Sequence, residues 1–311
     1  MTLQNYRTRS TERDDLNHPD SDRRPGPSSR YFVARKKRLR LGERTLVMGV
    51  VNVTPDSFSD GGEVYNVRKA IERALRLAEE GADIIDIGGE STRPGSEPVR
   101  LRDELGRVVP VITALEGKID ALISVDTVKS EVARQALTAG AHIVNDISGG
   151  RFDPETAHVA AEFEAGAVLM HIKGTPRDMQ DDPRYEDLIG EVRAYLSEAA
   201  DRFEIAGVLR TSIIVDPGIG FGKTVAHNLE LIARCREFSD IAAGVMLGPS
   251  RKSFIGTLTG RPVKDRVEGT IAASVAGVLA GADMVRVHDV KQVVSALKVA
   301  DAIKSIHNRP W

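Results

Sequence analysis

Glu80-Gly81-Ala82 runs into the apolar stretch Asp83 to Ile87, and the same phrase returns three times further along the chain. Ala139-Gly140-Ala141 precedes His142 to Asp146, Ala165-Gly166-Ala167 precedes Val168 to His171, and Ala280-Gly281-Ala282 precedes Asp283 to His288. Glycine tolerates the left-handed backbone just past a helix end, and apolar runs this short suit strands buried on both faces. Each phrase therefore reads as a helix stopping and a strand beginning. Leu46 to Val51, Ala121 to Val125, Ile213 to Val215 and Gly244 to Leu247 bring the strands to eight, with helix-length amphipathic segments between them. Eight such units predict an α/β fold, a single (β/α)8 TIM barrel. An open doubly wound sheet uses the same units, but the glycine fingerprint it would carry after its first strand is absent.

Outward from the barrel, Tyr31 to Arg44 alternates around Leu41-Gly42-Glu43-Arg44 and predicts a small hairpin closing the bottom. Residues 1–30 mix Arg, Asp, Ser and Pro without hydrophobic periodicity, so they are expected to form a disordered tail ahead of a domain spanning 31–311. The tail has no apolar centre for a signal peptide, and Asp14, Asp15, Asp20 and Asp22 argue against a transit peptide. The whole chain of 311 residues is 41% hydrophobic and 28% charged with a formal net charge of -2, a balance that favours neither nucleic acid nor an anionic membrane as partner. No run approaches the roughly 18 apolar residues of a membrane span. One cysteine, Cys235, in an expected helix from Leu229 to Phe238, rules out an intramolecular disulfide framework, fits a cytoplasmic setting and reads as a structural residue.

In a barrel of this type catalytic groups sit where strands end, so polar residues just after the apolar runs mark an enzyme. The tips read Asn52, Asp86, Asp126, Asn145, His171, Asp216, Ser250-Arg251-Lys252, and finally Arg286 and His288. Any one of these could instead cap a helix or fix a loop. As a set they combine in-plane hydrogen-bonding groups with cations able to hold anionic oxygens, which suits a flat polar heterocycle bearing phosphate. Gly222-Lys223-Thr224 imitates the end of a phosphate-binding P-loop, but that motif needs glycine where Pro217 stands. His171 and His288 occur singly, which argues against a zinc hydrolase. A Schiff-base aldolase using Lys252 would leave the acidic tips without a purpose.

The loops carry a more specific signal. Met48-Gly49-Val50-Val51-Asn52-Val53-Thr54-Pro55-Asp56-Ser57-Phe58-Ser59-Asp60-Gly61-Gly62 closely resembles the first signature of dihydropteroate synthases, and Asp86-Ile87-Gly88-Gly89-Glu90-Ser91-Thr92-Arg93-Pro94-Gly95 the second. Further matches are Ser124-Val125-Asp126-Thr127, Val144-Asn145-Asp146, Met170-His171, Asp216-Pro217-Gly218, Ser250-Arg251-Lys252-Ser253 and Arg286-Val287-His288-Asp289, so the resemblance runs from about Leu41 to the end. It implies condensation of 6-hydroxymethyl-7,8-dihydropterin diphosphate with 4-aminobenzoate, assisted by magnesium, to give 7,8-dihydropteroate and diphosphate in folate biosynthesis. By the same resemblance Asp126, Asn145, Asp216 and Lys252 hold the pterin, while Arg286 and His288 grip the diphosphate and Asn52 serves magnesium and diphosphate. Phe58 and Asp60 in loop one are expected to close over the pterin. Thr92, Arg93 and Pro94 in loop two are expected to build the aminobenzoate site with Phe221 and Ser253, and Thr92 also borders the pterin diphosphate. Ring electrons of the dihydropterin can expel diphosphate before the amine attacks, so no general base is required. Lys173 stands where members of the family often carry glutamine, a departure expected to affect only the rim.

The resemblance further implies a homodimer packed through barrel helices and inhibition by sulfonamides. Two rivals remain. A methyltetrahydrofolate-dependent corrinoid methyltransferase would share an acidic pterin pocket, but it has no need of Ser91-Thr92-Arg93-Pro94 or of the diphosphate grip. A catalytically silent pterin-binding barrel would be expected to have lost parts of the first two loops. Asp86 and His171 are left without a role.

Overall fold

The fold follows from alternation along eight short strands. The computed structural model describes residues 30–54 and 62–307. Within them β1 (Arg30–Ala34) and β2 (Lys37–Leu41) pair antiparallel, so Arg30 opens a strand rather than ending the tail. The barrel strands are β3 (Leu46–Asn52), β4 (Ile84–Gly88), β5 (Leu122–Asp126), β6 (Ile143–Asp146), β7 (Gly166–Met170), β8 (Ile213–Asp216), β9 (Gly244–Leu247) and β10 (Met284–Val287). They are parallel, each beside its neighbour in sequence, and β10 closes on β3. The helices around them are α1 (Gly62–Glu79), α2 (Leu101–Leu115), α3 (Ser130–Thr138), α4 (Glu155–Glu162), α5 (Leu188–Ile205), α6 (Val225–Ala233), α7 (Ser253–Thr259), α8 (Val267–Leu279) and α9 (Val290–His307). Among the described residues no helix is long and apolar enough to cross a membrane.

Outward side chains such as Val47, Ile85, Ile123, Val144, Leu169, Val215 and Val285 pack under the helices. Their inward neighbours Met48, Ile84, Leu122, Ile143, Val168, Ile214, Met246 and Met284 fill the lower barrel with Phe32, Ala34 and Leu41 from the hairpin. Burial on both faces accounts for the near-continuous apolar runs. It also leaves the interior open for chemistry only above this plug.

Three of the four recurring phrases do what their glycines suggest. Gly81, Gly140 and Gly281 adopt φ of 99°, 115° and 117°. The following alanines donate back to Leu77, Ala136 and Gly277, closing Schellman turns. The fourth differs: Glu164, at φ 52°, takes the left-handed position, and Ala165 donates to Ala160. Gly166 is instead the first residue of β7, and a Cβ there would lie 2.7 Å from Phe32 Cζ and 3.0 Å from Ala34 Cβ. It is a close-approach glycine under the hairpin. Gly166→Ala is therefore expected to lower stability by about 1–3 kcal/mol through overpacking. Urea unfolding at unchanged midpoint would show that the hairpin yields without cost. The expected helix from Leu229 to Phe238 is also divided, since α6 ends at Ala233 and a separate 3-10 turn holds Cys235 to Phe238. Cys235 is fully buried there, and burial pushes its thiol up to about 12, as befits a packing residue.

Candidate active site

Above the plug the same inward positions turn polar. Asp86 lies two residues beyond inward Ile84, Asp126 beyond Leu122 and Ser124, Asn145 beyond Ile143, Asp216 beyond Ile214 and Arg286 beyond Met284. Strand pairing sets Asp86 opposite Ser124 and Asp126 opposite Asn145. The result is a polar layer enclosed by strands and floored by apolar side chains.

Asp86, which had no role in the sequence reading, is the hub. Its Oδ2 accepts from Arg286 Nε at 2.7 Å and from Asn145 Nδ2 at 2.9 Å. Arg286 Nη2 donates to Asp126 Oδ2 at 2.6 Å, which leaves Nη1 without a described partner. Asp86 is fully buried, and its Oδ1 and the Ser124 hydroxyl have no hydrogen-bond partner among the described residues. Burial drives the Asp126 carboxyl well above its usual range, the Arg286 charge opposes this, and Asp86 adds to the rise.

Asp216 and Lys252 form the opposite side of the pocket. Asp216 Oδ1 accepts from Gly218 N at 2.7 Å, and burial pushes the carboxyl up to about 6 against the pull of that N–H and of Lys252. Lys252 Nζ stands 4.0 Å from the centroid of the Phe221 ring, a cation–π contact. Burial, helped by Arg286, lowers its ammonium to about 8 while Asp216 and Asp126 hold it up. Its aliphatic stem packs on Gly220, where a Cβ would come 3.0 Å from Lys252 Cδ.

His288 turns toward Ser250. Ser250 Oγ lies 2.9 Å from His288 Nδ1 and accepts from His288 N at 3.1 Å. The Ser250 hydroxyl keeps its own proton to give to Nδ1, and in that arrangement the imidazole proton lies on Nε2. Burial and the charges of Arg286 and Arg251 depress His288 to about 3, so it is a neutral donor.

His171 takes no place in the polar layer. Its Nδ1 sits 2.9 Å from Lys223 Nζ, which also donates to Phe221 O at 2.9 Å. Burial and the Lys223 charge lower His171 to about 2, and burial lowers Lys223 to about 7. This lysine, the false P-loop residue, fastens the loop from Pro217 to Lys223 onto the end of β7. A side chain at Gly218 would collide with the His171 carbonyl, and one at Gly222 would come 2.6 Å from the Lys173 carbonyl. Lys173 thus touches the loop carrying Phe221, a loop contact of the kind expected of it.

The remaining expected residues that are described lie at or after the carboxyl ends of β3, β4, β8 and β9. Asn52 is half-buried at the tip of β3, and its side chain bonds to no described residue. Thr92 is half-buried, Arg93 and Pro94 are exposed, Phe221 is buried, and Ser253 is exposed at the start of α7. Phe58 and Asp60 lie outside the described residues. Among the described residues no cluster of three or more His, Cys, Asp or Glu side chains is placed to hold a metal ion.

Comparison with known proteins places the chain in a family. The family model for pterin binding enzymes matches residues 48–288. The dihydropteroate synthase of Synechocystis sp. is 51% identical over 263 residues, covering 84% of this chain and 91% of its own. A structure of Xanthomonas albilineans dihydropteroate synthase with 4-aminobenzoic acid superposes with a TM-score of 0.83 at 43% identity, covering 91% of this chain and 100% of the other. One of the same enzyme in complex with 7,8-dihydropteroate gives 0.79 at 40% identity, covering 90% of this chain and 100% of the other. With that breadth of match, including the strands that carry the polar layer, the chain belongs to the dihydropteroate synthase family of pterin-binding enzymes.

Proposed function

We propose that the chain catalyses the family's reaction, joining 6-hydroxymethyl-7,8-dihydropterin diphosphate to 4-aminobenzoate. The C–O bond between the exocyclic methylene and diphosphate breaks, a C–N bond to the amine forms, and the amine gives up one proton. The observation that carries this reading is the buried polar layer above the plug, where two aspartates, an asparagine and a lysine edge a slot suited to a flat, nitrogen-rich ring. The Asp126 and Asp216 carboxylates accept from ring N–H and amino groups, Asn145 adds an oriented amide, and Lys252 donates to a ring acceptor. Enclosure in the barrel keeps bulk water from a cationic methylene. Arg286 Nη1 and neutral His288 then donate to diphosphate oxygens as charge builds on the leaving group.

Magnesium fits the residues as a substrate-borne ion. It binds through one or two protein oxygens together with phosphate oxygens and water, and Asn52 offers a free carboxamide oxygen at the mouth. Bound there it would supply charge neutralisation for the diphosphate. Thr92, Arg93, Pro94, Phe221 and Ser253, around the same opening, would receive 4-aminobenzoate, and a sulfonamide would compete for that place. A second copy of the chain would cover the apolar outer faces of α7 to α9, where Leu258, Leu279 and Val299 are exposed at 58%, 49% and 61%. The cytoplasm is the compartment proposed for this chemistry.

The test is an assay of diphosphate release and dihydropteroate formation with both substrates and saturating magnesium. Product dependent on 4-aminobenzoate is expected, and its absence would sink the reading.

The ionisations give a pH signature. Ring binding needs Asp126 and Asp216 charged and Lys252 protonated, so pterin affinity is expected to weaken as pH falls through about 7 to 6 and again above about pH 8. For stability the signs run oppositely in the empty protein. Asp216 is raised from 3.8 to about 6, so its contribution is present below 3.8 and lost as pH climbs through 6. Lys252 is lowered from 10.5 to about 8, so its contribution is present above 10.5 and lost as pH falls through 8. The ionised pocket groups are therefore least comfortable between about pH 7 and 8, where the ligand binds best. Thermal melts are expected to show the largest gain from pterin diphosphate near neutrality, and a gain independent of pH would contradict both assignments.

A further inference from the structure

Loop two is held at its stem by a charge cluster that no part of the reaction described above uses. Glu90 Oε2 accepts from Val99 N at 2.9 Å, so one carboxylate ties the start of the loop to its end. Lys129 Nζ, just beyond the tip of β5, reaches the same Glu90 oxygen at 2.5 Å and Glu104 Oε2 on α2 at 2.5 Å. Glu104 is fully buried and its other oxygen accepts from Thr127 Oγ1 at 2.6 Å. Burial works against the Lys129 charge, but Glu104 and Glu90 outweigh it and hold the ammonium above its usual range. Gly89 lies flat on α2, where a Cβ would come 2.9 Å from Val108 Cγ1 and 3.2 Å from the Glu104 carbonyl.

Between the two clasped ends the other bonds among the described residues are local or lie at the surface: Ser96 N donates to Arg93 O at 3.0 Å, and Glu97 pairs with Arg177 at 3.8 Å with both side chains exposed. Ser96 Oγ donates to Ser91 O at 2.6 Å, and Gly95 N donates to Pro176 O at 2.9 Å. Arg93 and Pro94 are exposed. The position of Thr92, Arg93 and Pro94 over the pocket mouth is thus set largely from below. One ammonium separates two carboxylates there, so its loss would leave Glu90 facing a buried charge and drive the stem outward.

We propose that Lys129 is a positioning residue, clamping Glu90 of loop two to Glu104 of α2 so that the loop presents its amine-binding residues to the mouth of the barrel. The proposal rests on the reading of loop two as part of the 4-aminobenzoate site. Lys129 touches no reacting atom, and its effect falls chiefly on the amine because Asp216 and Arg286 lie on β8 and β10 and Lys252 follows β9, while Asp126, three residues before Lys129, is fixed by Arg286 rather than by the clasp. Small displacements of a substrate-positioning group cost orders of magnitude in productive binding.

Lys129→Met is expected to raise KM for 4-aminobenzoate at least roughly tenfold, while kcat and KM for the pterin diphosphate stay within about threefold. Lys129→Arg, which keeps the charge, is expected to restore most of the loss. If the methionine variant does not fold, Glu90→Gln, which loosens the same clasp and leaves the Lys129–Glu104 pair, is read the same way. Amide hydrogen exchange at Gly95 and Val99 gives a readout independent of turnover, and it is expected to quicken at least about tenfold in Lys129→Met. An unchanged KM for the amine with unchanged exchange overturns the proposal, as does an equal loss for both substrates, which would mark a general structural role. A wild-type protein that forms no dihydropteroate would refute the proposed reaction, and the exchange result would still decide whether the clasp exists.

Discussion

Arg286→Met is expected to lower kcat/KM for the pterin diphosphate by about a thousandfold and to destabilise the fold by about 3 kcal/mol. Both losses come from one guanidinium. Nε and Nη2 neutralise Asp86 and Asp126 at 2.7 Å and 2.6 Å, and the remaining nitrogen is left for the anion. Methionine keeps much of the volume but strands two buried carboxylates, and breaking a buried pair costs far more than the pair itself contributes. Deprived of the cation, the Asp126 carboxyl, already raised by burial, holds its proton to higher pH. A group raised in the folded state loses its contribution as pH climbs, so the destabilisation is expected to grow from acid to neutral pH. Denaturant melts at several pH values test this, and a deficit that is constant or shrinks toward neutrality would show that Arg286 does not compensate those charges. Activity within tenfold of wild type would remove it from the site altogether.

Asp216→Ala and Lys252→Ala are each expected to weaken pterin binding about 100-fold, because each truncation leaves a buried hydrogen-bonding charge in the pocket or on the ring without its partner. The two variants differ in what remains. Asp216 helps hold the Lys252 charge up, so its removal lowers that ammonium further and moves the alkaline loss of affinity to lower pH. Removing Lys252 takes away one of the charges that restrain the rise of Asp216, so the acid loss moves to higher pH. Direct titration across pH separates these shifts, and unchanged pterin affinity in both variants would refute the ring assignments.

The barrel was legible because its strands are short, apolar and punctuated by helix stops, a pattern set by local backbone chemistry. The polar tips were legible because charged and amide groups are rare at the inner end of apolar runs. Other features depended on long-range proximity. Gly166 looked like a helix-stop glycine, and only its closeness to Phe32, far away in sequence, shows otherwise. Asp86 had a readable signal in its even spacing from inward-facing Ile84, but its partners Asn145 and Arg286 are 59 and 200 residues away. Lys223 was hidden by its likeness to a P-loop lysine, and nothing local indicates that His171 receives it. The Glu90–Lys129–Glu104 clasp joins three segments of no shared motif. Strand parity and recurring signatures could be read from one chain, whereas buried ion pairs could not.

The central claim is that the pterin ring occupies the polar layer between the apolar plug and the loops. A crystal structure of the chain with 6-hydroxymethyl-7,8-dihydropterin diphosphate tests it most directly. The ring edge is expected on Asp126, Asn145, Asp216 and Lys252, with the diphosphate toward Asn52, Arg286 and His288. A ring bound outside the barrel mouth, or inside it with Asp216 and Lys252 untouched, would contradict the account.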